Sequence, residues 1–176
     1  MSLTVSICFL IGFFPILRLP FGGSITIGKM VPLVFFTYFY GLKSGMFAGF
    51  IYSALQMIIS FHIPPAKTPA AFILAVLLDY MIPYLSVGFT AVFKGIFDNI
   101  KKYFMVSIVF SYMVRFFCST CSGIIIWNEY IPKEYNIWLY SLFYNLIYIV
   151  PEMLIALIVC SILLNFFVLK NINHTS

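Results

Sequence analysis

Long apolar runs broken by short polar stretches set the layout of this chain. A membrane-spanning helix needs about 20 mostly apolar residues, with about 17–25 the usual range. Segments that meet or approach this length lie at 3–17, 30–40, 44–61, 70–93, 103–127 and 137–169. The first is short, and the second is brief and ends at Gly41. The third carries Gly45, Ala48, Gly49 and Ser53, small residues that let helix backbones approach closely in a bilayer. Between the segments, 18–29 holds Gly, Ser and Pro, and 62–69 holds Pro64, Pro65 and Pro69, which rule out a continuous helix there. A polar connection with Lys94, Asp98, Lys101 and Lys102 precedes the fifth segment, and the loop 128–134 precedes the sixth. No heptad, repeat or low-complexity tract interrupts the pattern. It predicts an all-α integral membrane bundle of six transmembrane helices, one domain over 1–176.

Composition excludes the soluble alternative. The chain has 176 residues, 63% of them hydrophobic and 9% charged, with a mean hydropathy of +1.08. A soluble domain carries about 25% charged residues and about 45–50% apolar ones. A chain this short must also cover much of its surface with polar groups if water is its solvent. The net charge of +5 is scattered, which argues against a nucleic-acid partner and for loop charges that orient helices in a lipid bilayer. With both termini inside, Lys43, Lys94, Lys101, Lys102 and Lys170 are cytoplasmic, whereas Arg18, Lys29, Lys67 and Lys133 face outside. The first segment lacks a small-residue cleavage signature and reads as a retained helix. Cys8, Cys118, Cys121 and Cys160 lie in apolar stretches and read as buried small hydrophobes, since nothing completes the CxxC spacing of Cys118 and Cys121 into a metal site.

Three ionisable residues stand inside apolar segments: Asp79, Arg115 and Glu152. Each costs about 2.5–3.5 kcal/mol at a helix centre, so each asks for a function or a partner. The plain alternative is an Asp79–Arg115 pair fastening two helices, and for Arg115 this is the favoured reading. Glu152 follows Pro151 and would fill a polar gap at a kink. Arg115, Ser119, Gly123 and Trp127 recur every four residues and form a stripe on one helix face. The sixth segment opens with Trp138, Tyr140, Tyr144, Asn145 and Tyr148. An interfacial aromatic belt explains part of that run, but Asn145 lies too deep for a belt and needs hydrogen-bond partners. Together these residues would line an outward-facing pocket for a flat cationic heteroaromatic, with a carboxylate and ring faces for its charge. An enzyme is a poor reading. His62 and His174 are the only histidines, and no HExxH, GxSxG or P-loop is present, so the chain has no ATP site of its own. The sequon match at Asn173-His174-Thr175 means little so near a tail.

The stretch 19–32, Leu-Pro-Phe-Gly-Gly-Ser-Ile-Thr-Ile-Gly-Lys-Met-Val-Pro, then 41–49, Gly-Leu-Lys-Ser-Gly-Met-Phe-Ala-Gly, resemble the first loop and third-helix start of the thiamine-specific S components of energy-coupling-factor transporters. Leu78-Asp79-Tyr80, the run from Arg115 to Gly123, the Trp127 and Pro132-Lys133 region, and Tyr140-Ser-Leu-Phe-Tyr-Asn145 continue the resemblance in collinear order. It implies a multi-pass protein of a bacterial plasma membrane that binds thiamine from outside. Such a subunit delivers the vitamin inward with a shared transmembrane subunit and two ATPases, needs no cofactor, and leaves ATP to those partners. By position, Asp79 and Tyr80 would contact the ligand, Trp127 would supply a stacking wall with Gly123 keeping room beside it, and Tyr140 and Asn145 would contribute from helix six. Tyr52 stands where the family can have a pocket tryptophan, and Ser119 where it usually has a pocket histidine. A related heterocycle, such as a pyrimidine precursor or another vitamin, stays open as the ligand. A structural membrane protein whose polar residues merely fasten helices is the alternative from another class.

Overall fold

The computed structural model describes residues 1–66 and 68–173. Lys67, and His174 and Thr175 of the sequon, lie outside the described residues. The order is α1 (Ser2–Phe13), β1 (Leu17–Arg18), β2 (Ser24–Ile25), α2 (Val31–Ser60), α3 (Pro69–Gly95), α4 (Ile100–Ile125) and α5 (Ile137–Asn173). Among the described residues, four helices are long and apolar enough to cross a membrane: α2, α3, α4 and Ile137–Phe166 of α5. Helix α2 breaks at Gly41, where φ is +80° and ψ −177°. A Cβ at Gly41 would meet nothing within 4 Å, so glycine serves the left-handed backbone rather than a close contact. The six predicted segments therefore map in order onto α1, the two arms of α2, and α3 to α5. The first arm rises only about 15 Å, half of a hydrocarbon core about 30 Å thick.

Helix starts follow from their caps. Thr68 Oγ1 accepts from the Ala71 amide at 3.2 Å, with Pro69 next in line to open α3. Asn99 Oδ1 accepts from the Lys101 and Lys102 amides at 2.9 and 3.3 Å and opens α4. Asn136 Oδ1 does the same for α5, accepting from Trp138 and Leu139 at 2.9 and 3.3 Å.

Small residues draw the second arm of α2 against α3, as their spacing predicts. A Cβ on Gly49 would stand 2.3 Å from the Tyr84 carbonyl oxygen, and one on Gly88 2.5 Å from the Met46 amide nitrogen. Gly49→Val should therefore lower the thermal midpoint in detergent, because backbone cannot yield; overpacking of this kind costs about 1–3 kcal/mol. An unchanged midpoint would mean that the two helices part more easily than this contact implies. Outward, Ile58, Trp138 and Phe166 are among the exposed apolar side chains expected on a lipid-facing surface. Cys8 and Cys160 are buried as expected, but Cys118 is half-buried and Cys121 exposed, because their positions on α4 turn away from the bundle centre.

Two features depart from a plain helical reading. Residues 17–25 form a short antiparallel hairpin, with Leu17 opposite Ile25 and Arg18 opposite Ser24. Within α3, Val76–Met81 is π-helical. Pro83 has no amide hydrogen to give the Asp79 carbonyl four residues earlier, so a regular ladder cannot run through this turn. π-helical turns of this kind concentrate at functional sites.

Candidate functional site

The π turn places Asp79 on the wall of a cavity between the hairpin, α2, α3, α4 and α5. The cavity has a volume of about 130 Å³. Of the residues singled out in the sequence, Asp79, Tyr80, Ser119, Gly123, Trp127, Tyr140 and Asn145 line it. Tyr52 does not. It is fully buried behind the wall, its hydroxyl donating to Gln56 Oε1 at 3.1 Å and its ring edge-on to Tyr84, and Gln56 stands in the lining in its place.

Asp79 has a different partner from the one expected. Its Oδ2 accepts from Ser122 Oγ at 2.8 Å and from Trp127 Nε1 at 3.0 Å, which fixes the plane of the indole. Tyr130 lies nearly parallel to that indole, at 20° with ring centroids 6.1 Å apart. Arg115 pairs instead with Glu152: its Nη1 hydrogen-bonds Glu152 Oε2, while Thr26 Oγ1 donates to Oε1 and Lys29 Nζ stands 3.9 Å from the same atom. Glu152 therefore fills no loose gap at Pro151; it is fully buried beneath the cavity and joins the hairpin's exit to α4 and α5. Lys29, expected as an outside loop charge, is 1% exposed and part of the cavity lining. Its short loop leads straight into α2, so the backbone carries it inward.

The polar side chains on α5 also find partners. Asn145 donates from Nδ2 to the Ser141 carbonyl at 2.8 Å and accepts at Oδ1 from the Tyr148 hydroxyl at 2.7 Å. Gly123 faces Ser141, whose Oγ would lie 2.1 Å from a Cβ there, so this glycine makes room for α5 as well as for the cavity. Tyr80 is held by its hydroxyl, which donates to the Ser60 carbonyl at 2.7 Å.

The hairpin covers the site. The Tyr144 hydroxyl donates to the Pro20 carbonyl and accepts from the Gly23 amide at 3.2 Å. A Cβ on Gly23 would lie 2.9 Å from both the Tyr144 hydroxyl and the Tyr148 ring, so glycine allows the cover to sit this low. Tyr140 and Tyr144 stack at 7° with centroids 6.5 Å apart. Tyr144→Phe should therefore speed ligand dissociation several-fold in stopped-flow experiments, since it deletes both ties at once. A dissociation rate equal to that of the parent protein would show that the cover is held elsewhere. Lys29, Gln56 and Tyr130 are lining residues that the sequence reading did not assign to the site, whereas Tyr144, one of the aromatic residues it did assign, lines the cavity as expected. A lysine inside the apolar run Ile-Gly-Lys-Met-Val was the one legible sign.

Comparison with known proteins places this arrangement. Residues 1–171 match the family model described as thiamine transporter protein (Thia_YuaJ). The thiamine transporter ThiT of Bacillus subtilis (strain 168) is 29% identical over 156 residues, covering 84% of this chain and 78% of that protein. A solved structure of ThiT from Listeria monocytogenes shares the fold, with a TM-score of 0.73 at 18% identity over 94% of this chain and 91% of the other.

Proposed function

The chain belongs to the thiamine transporter protein family, a multi-pass transporter of the cell membrane and no enzyme, and on that premise we propose that it is the substrate-binding S component of an energy-coupling-factor importer. It takes thiamine from outside and passes it inward when joined to a shared transmembrane subunit and two ATPases. One observation carries this reading: a carboxylate, Asp79, is bonded to the Trp127 indole inside a cavity walled by tyrosines. A flat cationic ring is what such a wall attracts, through its negative charge and through the faces of its rings. Tyr80, Tyr140, Asn145, Ser119 and Gly123 supply the remaining wall, and the hairpin closes over it.

Titration of the purified protein with thiamine, followed by tryptophan fluorescence, tests the proposal, with pyridoxine and riboflavin as controls. Saturable quenching by thiamine alone is the expected result. Quenching by a control in place of thiamine would transfer the site to another heterocycle. Asp79→Asn should weaken thiamine binding by tenfold or more, about 1.4 kcal/mol, because the amide keeps the shape of the wall but not its charge. Equal affinities in the two proteins would remove Asp79 from the site.

A further inference from the structure

A second groove backs onto the cavity wall. It has a volume of about 470 Å³ and is lined from a single stretch of chain, 134–147. Tyr140 and Tyr144 line both spaces, so the same two rings divide the groove from the cavity. Tyr135 extends the row, with its ring 5.9 Å from that of Tyr140 and tilted by 51°.

The groove changes character along its length. Leu139, Phe143 and Ile147 line it at every fourth residue, are 57%, 58% and 59% exposed, and lie within the membrane-spanning part of α5. They form an apolar stripe about 12 Å long on one helix face. A polar solute gains nothing from such a stripe, whereas an acyl chain does. Glu134 completes the lining at the other end, exposed and in no ion pair among the described residues. A carboxylate beside tyrosine rings at the edge of a bilayer attracts an organic cation. Lys133, its neighbour in the chain, is likewise exposed and in no ion pair among the described residues. An anion and a cation side by side complement the ammonium and the phosphate of a zwitterionic headgroup.

We propose that the groove holds a phospholipid with a primary ammonium headgroup, of the phosphatidylethanolamine class. Its first methylenes lie on Leu139, Phe143 and Ile147. A primary ammonium has three N–H donors for Glu134, whereas a trimethylammonium has none to give. The lipid also packs on the groove side of Tyr140 and Tyr144. The Tyr144 hydroxyl ties the hairpin at Pro20 and Gly23, so a lipid that braces this ring holds the cover down. The bracing rests on the thiamine reading above; the lipid site does not.

Native mass spectrometry reads the lipid site, on protein released from nanodiscs of phosphatidylethanolamine, phosphatidylcholine and phosphatidylglycerol in equal parts. The parent protein should retain phosphatidylethanolamine above the other two. Glu134→Gln should lower that retention by about threefold, the size of one exposed charge contact. Equal retention of the three lipids, or retention unmoved by Glu134→Gln, would overturn the site. Stopped-flow release of thiamine reads the bracing. The parent should release it about threefold more slowly in discs that contain phosphatidylethanolamine than in phosphatidylglycerol alone, and Glu134→Gln should remove the difference. Retained lipid with equal release rates would overturn the bracing and leave the lipid in place. Two thiamine molecules per protein in calorimetry, the second lost in Glu134→Gln, would give the groove to the solute and overturn the lipid. A protein that binds no thiamine defeats the thiamine reading, while the lipid masses still decide the groove.

Discussion

Trp127→Ala should weaken thiamine binding by about a hundredfold, near 2.7 kcal/mol. Two losses combine in that figure. The indole is a large flat face of the cavity, and aromatic side chains of this size bury about 150–250 Å² each. Its Nε1 also donates to Asp79 Oδ2, so the alanine variant leaves the carboxylate with Ser122 alone and free to rotate. Trp127→Phe separates the two losses, since it keeps a ring and removes the donor, and should fall between the alanine variant and the parent. Calorimetry is the proper readout, because the substitution removes the fluorophore that binding would quench. An alanine variant that binds as tightly as the parent would place thiamine outside this cavity.

Glu152→Gln should act on stability above all. The carboxylate is fully buried against Arg115 and within 3.9 Å of Lys29, and removing one member of a buried ion pair costs about 3–5 kcal/mol because the partner stays behind uncompensated. Here two partners stay behind. The thermal midpoint of the ligand-free protein in detergent should fall on the order of 10 °C, and by more than that of Asp79→Asn, whose neighbours are neutral donors. Midpoints that agree between the two variants would mean that the cluster beneath the cavity contributes nothing to the fold.

Periodicity made much of this legible. The recurrence of Arg115, Ser119, Gly123 and Trp127 every four residues picks out one face of α4 and the turn just beyond its end, and all four line the cavity. Likewise Gly45, Ala48, Gly49 and Ser53 pick out the buried face of α2. What such spacing leaves out is the identity of the neighbour across the gap. Three polar residues in three segments allow several pairings, and the Asp79–Arg115 pair was as consistent with the sequence as the Arg115–Glu152 pair that forms. Lys29 was misplaced for a related reason: a loop charge and a cavity charge look the same until the hairpin's path is known. That hairpin has strands of two residues each, too short for any alternation to register. Tyr52 lies on the correct helix one layer too deep, with Gln56 a turn later taking the cavity position.

The π turn of α3 also sets a phase. A widened turn holds one residue more than an α-helical turn, and each residue rotates a helix by about 100°. Whatever follows Met81 is therefore offset from whatever precedes it by that single residue. Tyr84 and Gly88, which meet Gly49 and Met46, keep their bearing toward α2 only because the extra residue is there. Deleting one residue from 76–81 would return the turn to α-helical width and force a choice: Asp79 toward the cavity, or Gly88 toward Met46. The helix thus uses one surplus residue as a clutch between a face that lines the cavity and a face that meets its neighbour, and no point substitution can reproduce that offset.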